Sequence, residues 1–363
     1  MNPLFPEIKK NFGFGCMRFP MKGEQVDTDA VTQMVDAFLQ AGFNYFDTAK
    51  PYHSGTSQDV VRKCLTSRYP RDRYVLTNKL SPTYFETEAE IIPLFESQLA
   101  DCGVDYFDFY LLHANSAQRH EKYTATRAYD IVQELKAQGK IRHVGMSFHD
   151  TAEVLDRILT ERPEIEVVQL QFNYVDFEDP RVQSRACYEV CRRHGKPVLV
   201  MEPVKGGSLV NLPEEAMALL ESGSAASYAI RFAAGFEGIF MVLSGMSSLE
   251  QMKDNISFMS DFRPLDQREQ QTVGRIRTLY QARHRIPCTA CRYCTDGCPA
   301  GIPIPDLFAC LNDKREDKPE AGRYADAPVK ADSCVGCGQC EAVCPQHLQI
   351  RELLKEVDRA FRN

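Results

Sequence analysis

Eight cysteines toward the C-terminal end have a spacing that implies chemistry directly. Cys288, Cys291, Cys294 and Cys298 read CxxCxxCxxxC with Pro299 next, and Cys334, Cys337, Cys340 and Cys344 repeat that spacing ahead of Pro345. The chain has 14 cysteines, and nine of them, Cys310 included, crowd between residues 288 and 344. Thiols packed this densely in a reducing compartment point to metal ligation before disulfides. A second group lies in the first third of the chain: Asp47 in NYFDTAKPY, Tyr52 five residues on, Lys79 in VLTNKL and His113 in FYLLHAN. Those types suit reduction of a carbonyl. A phenol with a pKa near ~10 is a poor acid-base group at neutral pH, and a neighbouring ammonium such as Lys79 lowers that pKa. Asp47 is the carboxylate that holds the lysine, and His113 donates to or orients a carbonyl oxygen beside Tyr52. Singly, an aspartate or histidine at a strand end is a loop cap or a satisfied core group; only the combination points to chemistry.

Positioning these groups requires a repeated scaffold. Short apolar runs at 12–16, 43–47, 74–78, 107–112, 143–147, 167–171, 198–201 and 239–243 read as strands. Between them lie segments of amphipathic helical spacing, such as Val31, Val35, Phe38 and Leu39 before Gly42, or Ile131, Val132 and Leu135 before Gly139. Eight strands alternating with helices over about 250 residues predict a closed (β/α)8 TIM barrel, whose carboxyl face gathers residues at strand ends. Asp47, Tyr52, Lys79 and His113 then share one barrel mouth. The expected organisation is a barrel over 1–262, a helical connector over 263–286, and a small C-terminal ferredoxin-like iron-sulphur domain over 287–363 ending in a helix with Ile350, Leu353, Leu354, Val357 and Phe361 on one face. The charged stretch 313–318 reads as a solvated loop. Aromatics Tyr84, Phe85 and Tyr123, in the loops 81–87 and 115–126, line a pocket or cover a helix.

Composition narrows the function classes. The 363 residues carry 43 basic and 50 acidic side chains, a formal charge of -7, with no basic block, which argues against nucleic-acid binding. No apolar run reaches the ~18 residues of a spanning helix, and the first residues lack the order of a signal peptide, so a cytoplasmic location away from the membrane is expected.

The duplicated cysteine run resembles two-cluster bacterial ferredoxins, a resemblance covering residues 287–351. It implies two 4Fe-4S clusters with crossed ligation: Cys288, Cys291, Cys294 and Cys344 on one, Cys334, Cys337, Cys340 and Cys298 on the other. Three thiolates on a tight loop cap three irons of a cubane, and the fourth iron must be met from elsewhere. Zinc, the competing metal, uses two CxxC pairs and no third close cysteine. The gap between Cys298 and Cys334 is longer than in small ferredoxins and reads as an insertion. Cys310, Cys16, Cys64, Cys102, Cys187 and Cys191 fall outside the pattern and are expected in the core.

Taken in chain order, Asp47, Tyr52, Lys79 and His113 resemble the tetrad of the aldo-keto reductase superfamily, with the DTA-x-x-Y and LLH segments carrying the likeness over residues 10–260. The resemblance implies NAD(P)H bound across the barrel mouth, hydride transfer to a carbonyl carbon, and Tyr52 as proton donor. Ser147 in VGMSFHD and Gln169 in VVQLQFNY match the family's carboxamide contacts, and Met201 stands where many members stack a tyrosine on the nicotinamide. Phe148 replaces a frequent Asn. Lys205, Gly206 and Gly207 are expected near the pyrophosphate, and Gly245, Met246, Ser247, Gln251 and Asn255 near the adenosine. Gln251 and Gly245 stand where basic residues commonly meet a 2'-phosphate, which weakens the case for NADP and leaves NADH, a loosely held nucleotide or a flavin open.

A nicotinamide passes two electrons as hydride and a cluster passes one, so joining them calls for a converter. The expected function is an iron-sulphur oxidoreductase acting on a small carbonyl or related unsaturated substrate, its clusters relaying electrons with a ferredoxin or flavoprotein partner. Two alternatives stand beside it: an ordinary NAD(P)H carbonyl reductase with structural or redox-sensing clusters, and a non-catalytic electron-transfer module.

Overall fold

A computed structural model describes residues 4–283, 285–318 and 323–362. Eight parallel strands close a barrel: β1 (Phe12–Gly15), β2 (Tyr45–Asp47), β3 (Val75–Leu80), β4 (Phe107–Asn115), β5 (Ile141–Phe148), β6 (Val167–Gln171), β7 (Val198–Met201) and β8 (Ile239–Ser244). Each pairs with its sequence neighbours, and β8 closes on β1 through Phe12 opposite Val242. All eight expected strands form, within a few residues of the boundaries read from the sequence. The strands are apolar on both faces because both are covered. Inward side chains Tyr45, Val75, Phe109, Leu111, Val167, Leu199 and Met241 fill the barrel, and Phe5 and Ile8 join the same inner core. Gly145 is required in that interior, since a Cβ there would lie 2.4 Å from Val167 and 2.7 Å from Leu111.

Helices such as Thr28–Gln40, Ile91–Cys102 and Ala128–Ala137 pack an outer core against the strands. Asp27 caps the first of these by accepting from the Asp29 and Ala30 amides. The helix expected as a connector, Gln267–Ala282, buries Thr272, Val273 and Ile276 against the barrel side, in a cluster with Tyr174, Leu209 and Tyr228. No helix among the described residues is long and apolar enough to cross a membrane.

The tail has a core of its own. Helices Ile304–Arg315 and Ile350–Phe361 interlock through Leu307, Phe308, Leu311, Ile350, Leu354 and Val357. Phe361 stacks on Tyr324 with ring centroids 4.3 Å apart. The stretch 313–318 departs from the expected solvated loop. Its first half finishes a helix, Asp313 is buried against Arg323, and Glu316 gathers Arg283, Arg285 and Lys318. A charge-rich sequence is here an ion-pair hub, a distinction that depends on what packs beside it. The six cysteines expected in the core, Cys310 among them, are all buried.

Candidate functional site

Asp47 ends β2, Lys79 lies in β3 and His113 in β4, so the strand order brings them to one rim. Tyr52 follows in a tight turn after β2, where His53 and Ser54 take left-handed backbone (φ 51° and 53°). Such non-glycine conformations persist only where the surroundings enforce them. Here the Phe19 amide donates to His53 Nε2 at 3.0 Å, and the two rings stack. Lys79 Nζ lies 2.5 Å from Asp47 Oδ1 and 3.1 Å from the Tyr52 hydroxyl, and it also donates to the Thr48 carbonyl. Lys79 is fully buried behind the other three. His113 Nδ1 meets the Ser81 hydroxyl at 2.6 Å, and its ring stands edge-on to Tyr52.

The electrostatics differ from the expectation at one point. Burial, with the Asp47 carboxylate adding to it, raises the Tyr52 phenol well above its ordinary pKa. The anticipated depression by Lys79 is absent because Asp47 sits against the same ammonium, so Tyr52 faces an ion pair and not a bare cation. Burial pulls Asp47 up and Lys79 down, each opposed by the other's charge. Burial, helped by Lys79 and Arg119, holds His113 well below the ordinary histidine range and therefore neutral.

Asp47, Tyr52 and His113 open into a cleft of about 700 Å³, within the range of small-molecule sites. Of the nucleotide contacts expected from sequence, Ser147, Gln169, Met201, Gly206, Gly207, Gly245, Ser247, Gln251 and Asn255 all line this cleft, as does Met246. Ser147 Oγ accepts the Ala114 amide at 2.6 Å, which leaves its own proton for another acceptor. Gln251 accepts the Ser247 amide, and Asn255 donates to Ser244. Lys205 is the correction. Its ammonium is buried between Asp176 at 2.5 Å and Gln346 at 2.8 Å, so it joins barrel to tail instead of facing a pyrophosphate. Phe85 and Tyr123 are buried away from the cleft lining, and the single Tyr123 hydroxyl proton is shared between the Leu80 and His113 carbonyls, each 2.8 Å away, bracing the strand ends.

The tail reaches into the same cleft. Thr289, Cys291, Tyr293 and Pro345 form part of its wall. Arg18 donates to the Thr289 carbonyl at 2.7 Å, and Gly206 lies so close that a Cβ would sit 2.5 Å from that oxygen. Gly206 also has φ +63°. Gly206→Ala is therefore expected to weaken docking by about 1–3 kcal/mol through strain and clash. Calorimetry of the full chain checks it: the tail transition moves down while the barrel's stays, and an unmoved tail transition refutes the contact's importance. Glu202, left-handed at φ 57°, also lines the cleft, with one oxygen 4.0 Å from Arg18 and the other unpartnered. Arg18, Glu202 and Tyr293 were not singled out from the sequence. Glu202 carried a usable signal, an acidic residue directly after a strand, whereas Tyr293 is hidden inside a cysteine motif.

Cys288, Cys291, Cys294 and Cys344 surround a second, small pocket that Ile304, Pro305, Phe308, Leu348 and Ile350 help to close. The Ala290 amide points at Cys288 Sγ from 3.4 Å, and the amides of Gln346, His347 and Leu348 serve Cys344. Amides aimed at sulphur stabilise thiolate. No three metal-ligating side chains among the described residues converge as on a single ion. Four thiols around one pocket, three from one run and one from the other, supply the all-sulphur donor set that a 4Fe-4S cluster takes. In the other set, Cys334 and Cys340 are near enough to interact electrostatically, Cys337 is exposed, and Cys298 and Cys334 pack at the tail core.

Residues 11–278 match the family model described as the aldo/keto reductase family, and residues 287–348 match that of a 4Fe-4S dicluster domain. Among curated proteins, the chain is 25% identical over 201 residues to an NADH-specific methylglyoxal reductase of Escherichia coli K12, covering 48% of this chain and 57% of that protein. The chain spans about half the length of the first curated relatives it matches. Among solved structures, an aldo-keto reductase from Bacillus halodurans in its holo form superposes with a TM-score of 0.61 at 24% identity, over 74% of this chain and 92% of that one. One from Klebsiella pneumoniae in complex with NADPH gives 0.60 at 21% identity, over 74% and 95%.

Proposed function

The chain belongs to the aldo/keto reductase family, and from that premise we propose that it reduces the carbonyl group of a small organic substrate with NADH, whose hydride and one proton complete that two-electron step, while its two clusters exchange single electrons with a carrier protein outside that step. The observation that carries this proposal is Lys79 bridging Asp47 and Tyr52 at 2.5 and 3.1 Å beside a neutral His113 at the cleft. When bound, the nucleotide supplies hydride and the clusters single electrons. The chain's own residues do the rest. Tyr52, kept protonated by burial, gives its proton to the carbonyl oxygen as charge develops there. Lys79, fixed by Asp47, faces the phenolate that results. A Ser81 hydroxyl donating to His113 Nδ1 leaves Nε2–H for the same oxygen. Ser147 and Gln169 orient the carboxamide, and Met201 lies where the ring face would rest.

At the adenosine end the cleft presents Glu250, Gln251 and Asp254, and its nearby cation, Arg18, is already engaged by Thr289 and Glu202. A 2'-phosphate dianion would meet carboxylates there, which favours NADH. The relative named for methylglyoxal and NADH supplies the first substrate to try. Anaerobically purified, full-length protein is expected to oxidise NADH on addition of methylglyoxal or another small 2-oxoaldehyde, with kcat/KM for NADPH lower by about tenfold or more. No turnover of any carbonyl with either nucleotide would refute the proposal. Clusters tied to the site are favoured over purely structural ones because Thr289 and Cys291 wall both the substrate cleft and the first cluster pocket.

A further inference from the structure

The loop that bears three thiols of the first cluster also carries a side chain into the barrel mouth. Tyr293 lies between Cys291 and Cys294 and lines the cleft together with Tyr52 and His113, and its side chain partly offsets the burial that raises the Tyr52 phenol. Its ring stands edge-on to His113 with centroids 6.3 Å apart, and Arg119 is an electrostatic neighbour. Tyr293 therefore shares the cleft wall with both groups assigned to the carbonyl oxygen, and it comes from the tail and not from the barrel. Its backbone is not at ease on its own. Ala290 and Arg292, either side of Cys291, take left-handed conformations (φ 51° and 64°), a strained pair for non-glycine residues. Three attachments hold the loop: thiols converging on the cluster pocket, the Arg18 bond to Thr289, and the seat of Thr289 on Gly206. The first of these depends on the cluster.

We propose that Tyr293 is a positioning and specificity-determining residue of the barrel's substrate site, orienting the Tyr52 hydroxyl and limiting the size of the carbonyl substituent, so that the site is complete only while the first cluster holds its loop. This rests on the carbonyl-reductase proposal and adds a residue from outside the barrel to it. The pocket then takes aldehydes and ketones with a small substituent on the tail side, and loss of the first cluster disables reduction even with the four barrel groups intact.

The test uses full-length, cluster-loaded protein and its Tyr293→Phe and Tyr293→Ala variants, with iron and sulphide content first shown equal to wild type. The phenylalanine variant is expected to lose kcat by about fivefold, the worth of one hydrogen bond, with NADH affinity unchanged. The alanine variant is expected to raise kcat/KM for a bulky ketone relative to methylglyoxal by about tenfold or more. Wild-type kcat and size preference in both variants would overturn the proposal, and the phenylalanine variant decides alone where the alanine protein fails to load. An arm independent of turnover is EPR of dithionite-reduced protein. Adding NADH is expected to shift the signal of one cluster, because its loop walls the nucleotide cleft. NADH that binds and leaves both signals unmoved overturns the proposal. A shift in a protein that reduces no carbonyl instead refutes the reductase assignment and keeps the loop as a pocket wall.

Discussion

Tyr52→Phe is expected to lower kcat for carbonyl reduction by about 10²–10⁴-fold, the usual worth of a positioned acid, while NADH binding and cluster content stay at wild-type levels. The phenol is protonated at neutral pH, faces the cleft and is backed by a cation, Lys79 at 3.1 Å. Removing one oxygen leaves the ring, which packs edge-on to His113, so a folding defect is not expected to imitate the effect. The pH profile gives a second check, with its sign set by burial. Tyr52 is raised above its ordinary value, so the donating form persists through neutral and mildly alkaline solution, and the rate is expected to fall only above about pH 10. His113 is pushed down and stays neutral, so it contributes no acid limb near its ordinary value of about 6.5. Steady-state kinetics against pH checks both limbs. An alkaline limb centred near pH 8 would mean that Lys79 overcomes burial after all, and near-wild-type reduction by the variant would remove Tyr52 from the mechanism.

Much of this site was legible from sequence because its causes are local. Strands at 167–171 and 198–201 were read to the residue, since β-branched and other apolar residues (Val167, Val168 and Leu170; Val198, Leu199, Val200 and Met201) are concentrated in short runs that fully buried strands leave in sequence. Asp47, Lys79 and His113 were legible for the same reason: each is fixed by its place on a strand, and barrel closure supplies the third dimension. Lys205 was misjudged because its partners are Asp176 and Gln346, one from another barrel loop and one from the tail, and neither leaves a mark near position 205. Tyr293 is the same case with larger consequences. Its role comes from the docking of one domain on the other, and the spacing of the cysteines around it explains its surroundings so fully that nothing asks for more. Even the phenol's pKa turned on burial, with Asp47 adding to it; the sequence placed Asp47 beside Lys79 but did not reveal how completely Tyr52 would be enclosed.

Cluster ligation offers the other large effect, and crossed pairing makes it diagnostic. Loaded protein is expected to carry about eight iron and eight sulphide per chain. Cys344→Ser removes the ligand that reaches the first pocket from the second cysteine run, beside Cys288, Cys291 and Cys294. The variant is expected to keep about four of each, and the cluster retained is the one served by Cys334, Cys337, Cys340 and Cys298. Because the lost cluster is the one whose loop walls the cleft, its absence is also expected to abolish the NADH-dependent EPR shift. Cys298→Ser is expected to remove the other cluster and leave that shift in place. Iron analysis with EPR distinguishes this from ligation within each run, where the two variants would exchange phenotypes; stoichiometric zinc without sulphide would refute both. Stripping both clusters with a chelator goes further. The tail is near the size, roughly 70–80 residues, below which an apolar core seldom suffices unaided. Its core is two interlocked helices and the residues flanking the thiols. Without the clusters the tail is expected to lose about 3 kcal/mol or more and to be cleaved on the order of 100-fold faster by protease, while the barrel, with its own closed sheet and separate core, stays intact. Mapping the cleavage sites checks this: cuts spread equally over barrel and tail would mean that the two share one cooperative unit, and that Arg18, Gly206 and Lys205 bind the tail more firmly than its own metal does.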